Sequence, residues 1–187
     1  MATLFISSEK LKIETALNES VDDNLLHPYI LRAQDTKILP ILGTDLYDDL
    51  KSHIDAGSVA SHNATLLNTY IAPTLVQFAF AELLPVLRLR FVNNSIQIQQ
   101  SEQGVAATYG DIKPIMNNAV DAAQFYRQRC IDYLEFNSSL FPKYTTNSGA
   151  DMSPTSKNYY AGLNLNNNIS TSNSMRSLLQ GISDKCL

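Results

Sequence analysis

The stretch that decides the fold is AQDTKILPILGTDLYDDL, residues 33–50. It predicts one amphipathic helix that ends near Pro40 and a second that begins at Thr44, with a sharp corner between them. Pro40 has no N–H to donate, and Gly43 can adopt the left-handed conformation that tight corners need. Thr44 is the predicted N-cap, because its side-chain oxygen can accept a hydrogen bond from the first-turn N–H groups. We expect this corner to be a structural landmark rather than a binding site.

Outward from the corner, apolar residues at spacings of three and four predict a mainly α-helical bundle. The longest segment, 62–92, is apolar on more than one side, so we expect part of it to meet another chain. Pro73 and Pro85 should kink this segment or split it into consecutive helices. Asp111 is the predicted cap of the last long helix. The predicted helices span about 8–17, 22–39, 44–56, 62–92 and 111–137.

The rest of the chain predicts one protruding hairpin and a long tail. Residues 95–109 change to alternating periodicity and predict a β-hairpin with its turn at 102–104. From residue 143 onward the chain is rich in Ser, Thr and Asn, so it cannot bury enough apolar surface to offset its ordering entropy. We therefore expect a helical body over 1–142 and an extended polar C-terminal tail over 143–187.

Composition limits the function classes. A chain of 187 residues with 44% hydrophobic and 17% charged residues fits one globular domain. Its 14 basic against 18 acidic residues give a net charge of −4, which argues against general binding to a phosphate backbone. The N-terminus has no basic region before its short apolar run, so we expect no secretory signal. Cys130 and Cys186 suggest neither a disulfide framework nor a metal pair, which favours a reducing compartment.

The region 70–92 has the length of a membrane span, but it contains polar and charged residues that lipid would exclude. We therefore expect the core helix of a soluble assembly. The polar and charged residues of this region are Gln77, Glu82, Arg88 and Arg90.

No motif for nucleophilic, nucleotide or metal chemistry is present in the sequence. The histidines His27, His53 and His62 lack ligand spacing, so we expect solvated or capping roles. Glu82 is expected to form a salt bridge with a partner on another helix. The alternative function is a small helical enzyme of unknown substrate, with Glu82 or the acidic residues Asp45, Asp48 and Asp49 as its working groups. We predict no catalytic residue, cofactor or metal.

The order of corner, long apolar helix, hairpin and final helix resembles the adaptor or head-completion proteins of tailed bacteriophages. The resemblance covers about the first 142 residues, and the long polar tail departs from the shorter adaptors. The pattern ILGTDLYDDL and the Asn-rich composition look most like the ring proteins of crAss-like phages. The residues that carry the likeness are Ala33, Ile38, Ile41, Leu42, Gly43, Leu46, Tyr47 and Leu50.

The resemblance implies a virion structural protein without enzymatic activity. It would form a homo-oligomeric ring of about twelve copies at the head–tail junction, assembled in the host cytoplasm. The implied partners are the portal protein and the tail or further ring proteins, with no membrane. DNA would pass through the channel without specific binding. The predicted subunit-interface residues are Phe78, Phe80, Leu84, Leu87, Tyr159, Tyr160, Leu163 and Leu165.

Overall fold

A computed structural model describes residues 3–87, 89–92, 95–98, 107–146, 148–149 and 151–155, with the backbone alone for 90–92 and 95–98. The described part is mainly helical, as predicted. Its helices are α1 (Ser8–Glu14), α2 (Asp23–Ala33), α3 (Leu39–Leu42), α4 (Thr44–Asp55), α5 (Ser61–Thr65), α6 (Ala72–Leu87), α7 (Tyr109–Phe136) and α8 (Pro142–Thr145). Two π-helical turns, Gln34–Ile38 and Leu66–Ile71, join α2 to α3 and α5 to α6. A 3-10 turn, Ser138–Leu140, precedes α8.

The first helix of the corner continues past Pro40, where the sequence predicted its end. The π turn Gln34–Ile38 precedes the proline, and the N–H of Leu39 bonds to the carbonyl of Gln34, five residues back. This wider turn rearranges the backbone bonds just before a residue that has no N–H to contribute. The helical path therefore ends at Leu42, immediately before the corner glycine.

The helix of the apolar segment runs without a break from Ser61 to Leu87, so the predicted split at its prolines does not occur. Its π turn, Leu66–Ile71, ends two residues before Pro73, in the same relation as at Pro40. Pro85 lies within α6. The prediction of helix as far as residue 92 was wrong, because Leu89–Val92 is a strand.

The two described strands are β1 (Leu89–Val92) and β2 (Ser95–Ile98), which pair antiparallel. The predicted hairpin over 95–109 is not confirmed at that position, because β2 pairs with the residues before it rather than those after it. Residue 109 belongs to α7. The predicted turn at 102–104 lies outside the described residues.

Helix α7 begins with a capping box rather than with the predicted Asp111 cap. Thr108 is the N-cap and accepts a hydrogen bond from the Asp111 N–H, while the Asp111 carboxylate accepts one from the Thr108 N–H. These two bonds satisfy first-turn donors that would otherwise lack partners.

The core is centred on α6, which makes its most extensive contacts with α7 and next with α2. Small residues of α7, Ala119 and Ala123, are buried and permit close approach of the helices. The rings of Tyr70 and Tyr133 stack with centroids 3.9 Å apart and join the long helix to α7. Among the described residues, this helix, Ser61–Leu87, is the one that is long and apolar enough to cross a membrane. Core helices of soluble proteins share that property, and 56% of its most apolar window is buried inside the protein.

A buried polar network ties the N-terminal segment to the corner. The side chain of Gln34, with no exposed surface, accepts a hydrogen bond from the Phe5 N–H at 2.8 Å and donates to the Tyr47 hydroxyl at 2.9 Å. The Tyr47 hydroxyl in turn donates to the Asp35 carboxylate at 2.5 Å. Burial, together with the neighbouring Asp35, raises the pKa of Tyr47 far above its usual value, which keeps the hydroxyl proton available as a donor.

The division between body and tail lies later than predicted. Residues 1–156 form one compact unit and 157–187 a second. The first unit includes α8, which packs on α4, and residues 148–149 and 151–155, which contact the corner. The second unit lies outside the described residues.

We predict that Gln34→Ala lowers the free energy of unfolding by about 1–3 kcal/mol, since the partly buried Phe5 N–H loses its acceptor and the Tyr47 hydroxyl loses one of its two partners. Thr36→Ala, an exposed change in the same π turn, is the matched control and should cost about 0.5 kcal/mol or less. Urea unfolding followed by circular dichroism measures both values. Equal losses for the two variants would contradict a structural role for the network.

Candidate functional site

The corner depends on the backbone of Gly43. Its φ of 75° and ψ of 158° lie in a region that side chains disfavour. A Cβ at this position would lie 2.6 Å from Cδ of Pro154, so the proline ring occupies the space that a side chain would need. Two independent constraints, conformation and contact, therefore require glycine here.

The corner also brings unpaired helix ends together. The last carbonyls of one helix and the first N–H groups of the next have no partners within their own helices. At this corner the N–H of Thr44 donates to the Met152 carbonyl at 2.9 Å, and the carbonyl of Pro40 accepts from the Thr155 N–H at 2.8 Å. We call residues 148–149 and 151–155 the docked segment. It gives a hydrogen-bond partner to one unpaired backbone group at each of the two helix ends.

Side chains add to these backbone bonds. The Thr44 hydroxyl accepts from the Met152 N–H at 3.0 Å and donates to the Asp151 carboxylate at 2.9 Å. The Asp45 carboxylate accepts from both the N–H and the hydroxyl of Ser148, at 2.5 and 2.6 Å. These hydrogen bonds from Ser148 hold the pKa of Asp45 below its usual value, because they stabilise the charged form.

Two expectations about the corner are therefore corrected. Gly43 is the residue at the N-cap position, and Thr44 is the first residue of α4, with its side chain turned to the docked segment instead of its own helix. The corner also receives a segment of its own chain that lies more than a hundred residues away in the sequence. Residues 148–149 and 151–155, predicted as part of an extended polar tail, dock there through backbone and side-chain groups.

Three of the four acidic residues proposed as catalytic alternatives have structural partners. Asp45 binds Ser148, and Asp49 pairs with Lys143 of α8 at 2.5 Å. Glu82 pairs with Arg32 of α2 at 2.7 Å, which confirms the predicted partner on another helix. Asp48 lines, with Asp45, Asp49, Ser52, Lys143 and Thr146, an open groove of about 470 Å³. The alternative function as a small enzyme stays a prediction. The pairs at Asp45, Asp49 and Glu82 offer a structural reason for these carboxylates instead.

The histidines and the described cysteine lie in separate environments. His53 approaches Asp49 at 3.3 Å, and His62 contacts the edge of the Phe141 ring with centroids 5.6 Å apart. Among the described residues, no group of three or more acidic, histidine or cysteine side chains is arranged to hold a metal ion. Cys130 is buried within α7, and burial raises the pKa of its thiol to about 12, so it stays protonated.

The predicted interface residues divide into three groups. Phe78 and Phe80 pack in the core with only 5% and 8% of their surfaces exposed, so they offer little area to another chain. Leu84 and Leu87 are partly buried against the same core. The predicted tail residues Tyr159, Tyr160, Leu163 and Leu165 lie outside the described residues.

Sequence reasoning missed a more exposed pair on α7. Phe125 and Phe136 are 66% and 88% exposed. Each follows a buried residue, Ala123 or Leu134, by two positions, which places it about 200° around the helix from the core-facing side. The sequence contained this signal, because each phenylalanine follows a residue of the predicted inner face by two positions.

The comparison with known proteins identifies a family. A family of unknown function (DUF6712) matches residues 38–153, which is more than half of the 187 residues. The chain belongs to this family. The region matched to DUF6712 contains both the corner and the docked segment as far as Ser153, so both sides of this contact lie within the family domain. No curated protein and no solved structure matches the chain.

We predict that Gly43→Ala releases the docked segment, because the new Cβ meets Pro154 and the backbone conformation becomes strained. Hydrogen exchange at the Met152 and Thr155 amides should rise at least tenfold. Gly57→Ala is the matched control, since Gly57 has a φ of 63° but nothing within 4 Å of the added atom. Equal exchange in the two variants would contradict the contact with Pro154.

We predict that acid releases the docked segment through Asp45. A carboxyl group whose pKa is lowered by folding stabilises the folded form above its unfolded pKa of about 3.9, and this contribution is lost as pH falls through the lowered value. The NMR signal of the Ser148 amide should therefore hold constant above about pH 4 and shift below it. Asp45→Asn should weaken docking at neutral pH and remove this transition, whereas Asp48→Asn should leave both unchanged.

Proposed function

We propose that this chain is a structural subunit that assembles with copies of itself into a ring joining the portal to the tail of a tailed bacteriophage and lining the DNA channel. The observation that carries the assembly part is the pair Phe125 and Phe136, two large apolar side chains directed away from the subunit core. The two phenylalanines lie about 20° apart around the helix, so one partner surface could contact both, and aromatic side chains are enriched at protein interfaces. The phage part rests on the sequence resemblance.

The geometry supports assembly through two different faces. A closed ring needs a heterologous interface, in which one face of a subunit meets a different face of the next. The outer face of α7 with its two phenylalanines is one candidate. The partly buried Leu84 and Leu87 at the end of α6 remain candidates for the other. Net charge of −4 favours passage of DNA without adhesion to the channel wall.

Several acidic side chains also support a structural role over catalysis. Asp45, Asp49 and Glu82 each hold two elements of the fold together, through Ser148, Lys143 and Arg32 respectively. A carboxylate engaged in this way is less available as a general base than a free one.

We predict that Phe136→Ser and Phe125→Ser each weaken oligomerisation about tenfold or more, because buried aromatic anchors contribute about 2 kcal/mol or more to an interface. Native mass measurement of the full chain across a concentration series gives the oligomer fraction. Gln124→Ser, an exposed polar change on the same helix, is the control and should assemble normally. Circular dichroism should show unchanged helix content in all three variants.

A chain that stays monomeric at every concentration, and also when mixed with a portal protein, would overturn the proposed function. Assembly at wild-type strength by the double variant of Phe125 and Phe136 would instead remove α7 as the interface.

A further inference from the structure

We propose that a cavity between α4, the first turn of the helix Ser61–Leu87 and the start of α8 binds a small organic carboxylate. The cavity lies within one subunit, so this inference is independent of the proposed ring. Its ligand is an anion with an apolar body.

The size and lining of the cavity suit a small molecule. Its volume is about 270 Å³, just below the range of about 300–1,000 Å³ that is typical of sites for drug-sized ligands. Apolar groups make up most of its wall, with Leu46 from α4 and Leu140, Phe141 and Pro142 from the chain that leads into α8. A few polar side chains converge on the same space, which is the usual composition of a ligand site.

The side chain of Asn63 is the observation that points to a ligand. Asn63 lines the cavity, and only 4% of its surface is exposed. Within the described part of the chain, its side-chain amide has no hydrogen-bond partner. Folded proteins rarely leave a buried polar group unpaired, because the group has lost its water without gaining a partner. The amide therefore indicates a polar atom of a ligand inside the cavity.

The start of the helix favours negative charge in the same place. Helix Ser61–Leu87 is 27 residues long, and its N-cap residue, Ala60, lines the cavity. Alanine has no side-chain oxygen to accept from the first-turn N–H groups, and no side chain caps this end in the described structure. These N–H groups have no partners within the helix, and together with the helix dipole they favour an anion.

The charged side chains at the cavity argue against a cation. Among the described residues that line it, Asp49 is the one acidic side chain, and it already pairs with Lys143 at 2.5 Å. His53 Nδ1 lies 3.3 Å from the same carboxylate. The imidazoles of His53 and His62 can each donate a hydrogen bond, as can the Asn63 amide. Donors thus exceed free acceptors, which selects an anion, and the apolar wall selects an organic anion over phosphate.

Three probes test the ligand class on the full-length chain: benzoate, benzamide and inorganic phosphate. We expect millimolar benzoate to shift the NMR signal of the Asn63 side-chain amide. Benzamide lacks the charge and phosphate lacks the apolar body, so each should bind at least about tenfold more weakly. Equal binding of benzamide would overturn the carboxylate, and equal binding of phosphate would overturn the apolar body. No shift with any probe would overturn the site.

Two variants test the location. Asn63→Leu removes the amide at nearly constant side-chain size and should weaken benzoate binding about tenfold or more, whereas the exposed control Asn118→Leu should not. Since the amide has no partner in the protein, Asn63→Leu should unfold at the wild-type urea concentration or above. Unfolding at a lower urea concentration would show that the amide serves the fold, and would overturn its role in the site.

Ala60→Phe fills space at the cavity wall and leaves the amide in place. It should weaken benzoate binding about as much as Asn63→Leu does. Ala56→Phe is the matched control, because Ala56 is exposed and lies outside the described lining of the cavity. Benzoate binding at wild-type strength by Ala60→Phe would overturn the proposal, because the probe would then bind elsewhere on the surface.

Discussion

The absence of a side chain at Gly43 is the constraint on which the described structure depends. Its positive φ turns the chain sharply enough for Gly43 to be the single residue between the end of α3 and the start of α4. A turn this short places the unpaired carbonyls of one helix beside the unpaired N–H groups of the next. Helix ends usually satisfy these groups with water or with local caps. Here an extended segment of the same chain satisfies them, and Pro154 packs into the space that glycine leaves open.

Sequence predicted the parts of this arrangement that depend on local chemistry. The glycine and the two amphipathic helices follow from short-range rules, and the structure has them. The docked segment was missed because its sequence is polar. Composition indicates only how much apolar area a segment can bury, and this segment can bury little. Binding through backbone hydrogen bonds needs little apolar area, so such a segment resembles a free tail. The partner of Glu82 was predictable as lying on another helix, whereas its identity, Arg32, required the packing of α2 on α6.

The prolines show a second limit of local rules. A proline in a helix interior removes one hydrogen bond and crowds the preceding turn, which predicts a break. At both Pro40 and Pro73 a π turn ends two residues earlier, and the helical path continues. At both sites the π turn shifts the backbone hydrogen bonds to partners five residues apart. This shift comes just before the proline, which has no N–H to donate. Sequence rules locate the defect in the hydrogen-bond ladder correctly. They do not determine whether the chain responds with a break or with a wider turn, since packing against the core decides that.

The distribution of polar and apolar groups in the described residues favours function through surfaces. Carboxylates that could have served chemistry join α4 to α8 and α2 to α6. The side chains without such internal use are instead the phenylalanines on the outer face of α7. Charged pairs that serve internal cohesion, together with exposed aromatic side chains, are consistent with the assembly that we propose. The corner follows the same logic, because a site made of backbone donors and acceptors recognises an extended chain. The corner shows this recognition within one chain, and the exposed phenylalanines are the side chains on which we base the proposed contact between chains.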